Sequence, residues 1–108
     1  MTESIKIISA EDLKKKLDAV EKFILLDVRE EGSYKIEHIR RATSLPLTVI
    51  EGADQIFRKN KKIVVYCRSH DCLASDKAAK RLVEIGFTNI TRYPGGIEEW
   101  KKLGYPTE

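Results

Sequence analysis

The sequence predicts an α/β fold built on a mainly parallel sheet. Three observations carry that prediction. The runs "KFILLDV" and "KKIVVYC" are continuously apolar and rich in β-branched residues, as buried parallel strands are. Each is followed by polar residues and then by a helix-like pattern, so strands and helices alternate along the chain. The 108 residues contain no repeat, linker or low-complexity stretch, which fits one domain spanning 1–108.

The elements follow in order. "SIKIIS" is a short apolar run and reads as an edge strand. "SAEDLKKKLDAV" reads as a helix with Ser9 as N-cap, Asp12 three residues on, and Leu13, Leu17 and Val20 as its apolar stripe. "KFILLDV" is a buried strand that turns polar at Asp27-Val28-Arg29. "EGSYKIEHI" suits a short helix, and "ATSLPL" an extended piece ending in an apolar-Pro pair. "TVIEGADQIFRKN" is a helix or a pair of helical turns broken near Gly52. "KKIVVYC" is the clearest strand and "CLASDKAAKRLVEIGF" the clearest helix, with Ala74, Ala78, Leu82 and Ile85 at helical spacing and Gly86 as its cap. "TNITRY" is a further strand, "PGG" a turn, and "IEEWKKLG" a closing helix with Ile97, Trp100 and Leu103 on one face.

Composition narrows the function classes. The net charge is +3, and its basic residues fall in short groups interleaved with acids. A nucleic-acid site calls for one basic stripe with stacking aromatics, and none is present. No apolar stretch reaches the ~18 residues of a membrane span. "MTESIKIISAEDL" lacks a basic start followed by an apolar run, so the chain reads as soluble and cytoplasmic. The two cysteines in such a chain do not suggest a structural disulfide.

Those cysteines are nevertheless the chemistry-bearing residues. Cys67 ends the best strand, and the best helix starts just beyond it. Ligands of open α/β sheets bind at the carboxyl ends of strands. A helix N-terminus offers unpaired N–H groups and partial positive charge, so it lowers a thiol pKa and cradles an anion. Cys67 is therefore either a nucleophile or a buried structural cysteine. The polar run "CRSHDC" fits an exposed loop better than a core.

Several motifs together resemble the rhodanese-like domains, the single-domain sulfurtransferases. "LLDVRE", "YKIEHIRRATSLPL", "IVVYC", "SDKAAKRLVEIGF" and "YPGGIEEWKKLGYP" occur in that family's order and cover nearly the whole chain. Two regions depart from the pattern. Glu37 precedes His38, with Arg40–Arg41 in place of a Pro-Gly-like pair. In the loop, Cys72 stands where the pattern Cys-x-x-Gly-x-Arg has arginine, and His70 where it has glycine. The chain resembles a longer-loop variant with a second cysteine.

The resemblance implies a parallel sheet with helices on both faces and a persulfide carried on Cys67. A donor such as thiosulfate or another persulfide loads it, and a thiol or cyanide unloads it, in two covalent steps. A protein could stand as donor or acceptor. No cofactor or metal is implied, and no nucleic acid or membrane. The loop Arg68, Ser69, His70, Asp71, Cys72, Leu73 would hold the anionic sulfur through backbone N–H groups, with Arg68 as the nearest cation. Cys72 has three open roles: resolving the persulfide, protecting Cys67 by reversible pairing, or packing as a small residue. His70 is either a proton-transfer group or an exposed loop residue. Asp27 and Arg29 either support the active site or form an ion pair that fixes strand and loop. His38 is expected to make a structural hydrogen bond.

Three rivals remain. A phosphatase or arsenate reductase uses Cys-x5-Arg, but Leu73 occupies the arginine position. Cys67, His70 and Cys72 offer only three ligands for zinc, where structural sites take four. A non-catalytic or redox-regulatory binding module is the third.

Overall fold

The computed structural model describes residues 5–108. The Met1–Ser4 part of the leader reading, and Ser4 of the predicted first strand, lie outside the described residues. Strands β1 (Ile5–Ile7), β2 (Ile24–Asp27), β3 (Thr43–Ser44), β4 (Ile63–Tyr66) and β5 (Ile90–Tyr93) form one sheet in the order β1-β5-β4-β2-β3. Every pairing is parallel. The predicted edge strand is indeed at an edge. The two apolar runs supply central strands, and all four residues of β4 are buried.

Helices cover both faces because strand side chains alternate. Ile63 and Val65 face a core shared with α4 (Ala74–Glu84), α3 (Ala53–Ile56) and the 3-10 segment Leu47–Gly52. Val64 and Tyr66 face the opposite core, with Leu13 and Leu17 of α1 (Ala10–Asp18) and Ile97 and Trp100 of α5 (Gly96–Lys102). The short α2 (Glu31–Ile36) buries none of its residues fully. No helix among the described residues is long and apolar enough to cross a membrane.

Local signals are read accurately at most ends. Ser9 Oγ accepts the N–H of Asp12 at 3.1 Å, as an N-cap should. Gly86 and Gly104 hold positive φ after α4 and α5. The break near Gly52 is real: a 3-10 segment, kinked at Val49, hands over to α3 there. Two stripe residues do not fit. Val20 lies beyond the end of α1, at φ 56°, and is 69 % exposed. The helix closes there through Val20 N–H to Leu17 O and Glu21 N–H to Lys16 O, so position 20 has left the helical face. Leu103 is the C-cap of α5, at an ordinary φ of −81°, and is 49 % exposed.

Candidate active site

The site stands at the carboxyl end of the sheet, where β4 runs out at Tyr66 and a six-residue loop (68–73) leads into α4. Cys67 is the first residue past the strand and continues the alternation of Ile63 and Val65, so its side chain enters the α4 core. It is 1 % exposed. The polar flanks signal an exposed loop, and Arg68, His70, Asp71 and Leu73 are exposed. The sulfur lies beneath them.

What holds the loop comes from both ends of it. The N–H of Ile97 donates to Cys67 O at 3.1 Å, and that of Glu98 to Arg68 O at 2.9 Å. The first turn of α5 thus grips the loop where it leaves the strand. Gly96 makes this approach possible. It sits at φ +69°, and a Cβ there would come 2.5 Å from the backbone of Arg68 and 2.7 Å from Cys67 O. Inside the loop, the Cys72 N–H donates to Ser69 O at 3.1 Å, folding the chain back over itself.

That fold sets the two thiols beside each other, so that their titrations are coupled. The Cys67 thiol also donates to Cys72 O at 3.5 Å. The N-terminus of α4 divides its N–H groups between them. Ser75 presents its N–H and its hydroxyl to Cys67, while the N–H groups of Ala74 and Arg68 face Cys72. Behind Ser75, which is 1 % exposed, Arg92 of β5 donates its Nε–H to Ser75 Oγ at 2.9 Å. A guanidinium therefore sits one hydroxyl away from the Cys67 sulfur.

The charge distribution differs from the one the sequence suggests. A helix N-terminus was expected to pull the Cys67 pKa down, but Cys67 titrates above an ordinary thiol. Burial is the largest cause, and the hydrogen bond with Cys72 adds to it; the Ser75 groups oppose both without prevailing. Cys72 goes the other way. Burial pushes its pKa up, but the bond from Cys67, the N–H groups of Ala74 and Arg68, and the Arg68 charge together hold it below the ordinary value. Within the pair Cys72 is the more acidic thiol and Cys67 the less acidic one.

This ordering has a direct test. Cys72→Ala removes a neighbour that keeps the proton on Cys67, so Cys67 is expected to titrate lower than in the parent. Ser75→Ala removes an opposing donor, so Cys67 should titrate higher. Alkylation rate against pH, with peptide mapping to assign the modified cysteine, reads both shifts. Unchanged profiles in both variants would mean that the pair is not coupled.

The other predicted residues distribute as follows. The Arg68 side chain is exposed and has its Nε 3.9 Å from Glu98 Oε2. His70 Nε2 lies 4.0 Å from Glu99 Oε2, so its ring is directed at α5 and not at the thiols. Ser69 contributes its carbonyl to the Cys72 turn. Asp71 is exposed in the turn, and Leu73 precedes α4 as an exposed N-cap without a side-chain capping bond. Among the described residues, no backbone carbonyl takes the N–H of Ser69, His70, Asp71 or Leu73.

Asp27 and Arg29 do not reach the thiols. Asp27 pairs in register with Tyr66, the residue before Cys67, so their side chains share the opposite face of the sheet. Asp27 is 0 % exposed and accepts from Arg29 Nη2 at 2.7 Å, Arg29 Nε at 3.0 Å, Arg29 N–H at 3.0 Å and Tyr66 OH at 2.7 Å. Burial works against the Arg29 charge, but the bond and charge of Asp27 leave its pKa raised. Arg29 also donates to Glu37 O at 2.6 Å, and the Ile39 N–H donates to Tyr66 OH at 3.1 Å. The group is a buried tie between strand and loop. His38 is structural as expected: Nδ1–H donates to Tyr34 O at 2.8 Å, and its ring stacks on Tyr34.

Sequence reasoning missed Ser75 and Arg92. One stands on a helix stripe and the other in a strand, and neither type is unusual there.

Comparison with known proteins agrees with this architecture. A family model described as "Rhodanese-like domain" matches residues 9–103. A thiosulfate sulfurtransferase GlpE of Coxiella burnetii is 35 % identical over 94 % of this chain and 89 % of its own. A putative sulfur carrier protein YrkF of Bacillus subtilis is 32 % identical over 90 % of this chain and 51 % of its own. A crystal structure of a Bacillus halodurans protein superposes with a TM-score of 0.89 at 32 % identity, covering 95 % of this chain and 76 % of its own. The solution structure of a rhodanese-like domain from Anabaena sp. gives 0.85 at 31 % identity, over 94 % and 76 % of the two chains. With the matched segment running from the cap of α1 to the end of α5, and the parallel sheet delivering Cys67 to the head of α4, this chain belongs to the rhodanese-like domain family.

Proposed function

We propose that this protein is a sulfurtransferase that carries sulfane sulfur as a persulfide on Cys67. The observation that carries the reading is the placement of Cys67: a thiol at a strand end, facing the Ser75 N–H and hydroxyl at the head of α4, with the Arg92 guanidinium behind them. A persulfide is a stronger acid than a thiol, so against the same burial the loaded form ionises more readily than the resting Cys67 thiol.

The reaction runs in two displacements. The Cys67 thiolate attacks the outer sulfur of the donor, the donor's sulfur–sulfur bond breaks, and sulfite or a thiol leaves with the electron pair. An acceptor thiol or cyanide then takes the outer sulfur and returns the Cys67 thiolate. The sulfur lies under the loop, so loading requires the 68–73 segment to open. The relatives named for thiosulfate sulfur transfer and for sulfur carriage support a small sulfur-donor anion and a thiol or protein acceptor as partners.

The experiment is thiocyanate formation from thiosulfate, or from glutathione persulfide, with cyanide as acceptor. Cys67→Ser is expected to lower turnover by at least about a thousandfold, the scale seen when a covalent nucleophile is removed. Equal turnover in Cys67→Ser and the parent would overturn the reading. The closed, protonated state of Cys67 favours a second reading, a redox-regulatory binding module, which predicts no turnover in the parent with either donor.

A further inference from the structure

We propose that Cys72 discharges the Cys67 persulfide, releasing the carried sulfur as hydrosulfide and leaving a Cys67–Cys72 disulfide. The inference rests on the sulfur-carrier reading of Cys67 and adds to it a second, reductive outcome of the same loop.

The geometry is built for it. Four residues separate the cysteines, and the Cys72 N–H to Ser69 O bond closes them into a turn. The turn brings the Cys67 thiol against Cys72, with Cys67 Sγ 3.5 Å from Cys72 O. The Cys67 thiol donates to that carbonyl, so the two cysteines are tied to each other within the loop. The Arg68 and Ala74 N–H groups face the Cys72 sulfur, which is where an attacking thiolate needs support. Both cysteines are free in the reduced state described here, and Cys72 is half-buried while Cys67 is enclosed. An internal thiol therefore meets the persulfide at a local concentration that no external acceptor matches under a closed loop.

The step balances. The Cys72 thiolate attacks Sγ of Cys67, and the bond between Sγ and the outer sulfur breaks. The outer sulfur leaves with the electron pair and one proton as hydrosulfide. It has been reduced by two electrons, and the two cysteines have been oxidised to a disulfide. A dithiol reductant, or two equivalents of a small thiol, then restores the pair. In chemical terms the cycle reduces sulfane sulfur to sulfide at the expense of cellular thiols. When acceptor is plentiful and the loop is open, transfer competes with this discharge.

The test uses the full chain, one addition of thiosulfate as the probe, and no acceptor. Intact mass and released sulfide are followed together for the parent, Cys72→Ser and Cys67→Ser. The expected result has three parts. The parent passes to a form two hydrogens lighter and releases one sulfide per chain. Cys72→Ser gains one sulfur and holds it, with the adduct decaying at least about tenfold more slowly than in the parent. Cys67→Ser gains nothing. A parent that holds its added sulfur as long as Cys72→Ser does would overturn the discharge while leaving the carrier reading intact. A Cys72→Ser protein that takes up no sulfur, from thiosulfate or from glutathione persulfide used in its place, would instead remove the carrier reading, and the discharge with it. Peptide mapping of the oxidised parent must locate the bridge at Cys67–Cys72; a bridge between chains also overturns the proposal.

Discussion

A Gly96→Ala protein is expected to lose about 2–5 kcal/mol of stability and to release its 68–73 loop. Two costs add. A non-glycine residue at φ +69° carries left-handed backbone strain. The new Cβ would also meet backbone atoms, the Arg68 carbonyl at 2.5 Å and Cys67 O at 2.7 Å, which no rotamer change relieves. To make room the loop must move away from α5, which breaks the Ile97 N–H to Cys67 O and Glu98 N–H to Arg68 O bonds. The neighbouring Gly95→Ala is the natural control. Its φ is −63°, ordinary for any residue, and its Cβ collides mainly with the Glu99 carboxylate, a flexible side chain. The expected cost there is about 1 kcal/mol, from loss of the Tyr93–Glu99 hydrogen bond. Urea denaturation of both variants, with the Cys67 alkylation rate as the loop probe, separates them. Equal destabilisation of the two variants would contradict the claim that the loop rests on Gly96.

The second large effect is at the other face. Asp27→Ala is expected to cost about 3–5 kcal/mol, the scale for stripping one partner from a buried ion pair. The Arg29 guanidinium would lose its bidentate carboxylate, and its own backbone N–H and the Tyr66 hydroxyl would lose their acceptor in a site where Asp27 is fully buried. Burial, and then the adjacent carboxylate, raise the Tyr66 pKa, so its phenol stays protonated as a donor. Tyr66→Phe removes the two bonds of that hydroxyl, to Asp27 and from Ile39, and should cost less, about 1–3 kcal/mol. The double variant should cost less than the sum of the two, since they share the broken bond. A fall below about 1 kcal/mol for Asp27→Ala would mean that water, not the carboxylate, satisfies this group.

The sequence by itself determined the order of elements, because short apolar runs carrying β-branched residues and ending in polar turns fit buried strands, and the longer intervening stripes fit one-sided helices. It also located the loop that carries the two cysteines. The apolar run of β4 stops at Cys67, and a chain that turns polar at a strand end must leave the core. The Gly95-Gly96 pair was visible as a turn, but not its task, since a close approach names its partner only in three dimensions.

Tertiary structure decided the rest. Asp27 and Cys67 both stand at strand ends, and in the sequence either could face the same site. The β2–β4 register pairs Asp27 with Tyr66, and because side chains alternate along a strand, a single residue of offset sends carboxylate and thiol to opposite faces. Ser75 and Arg92 lie 17 positions apart and meet only because α4 packs back over the β4–β5 pair. The protonation of Cys67 was misjudged for the same reason. A helix N-terminus can be read from sequence, but the depth of burial and the sulfur of Cys72 beside it cannot, and at this site they outweigh the helix.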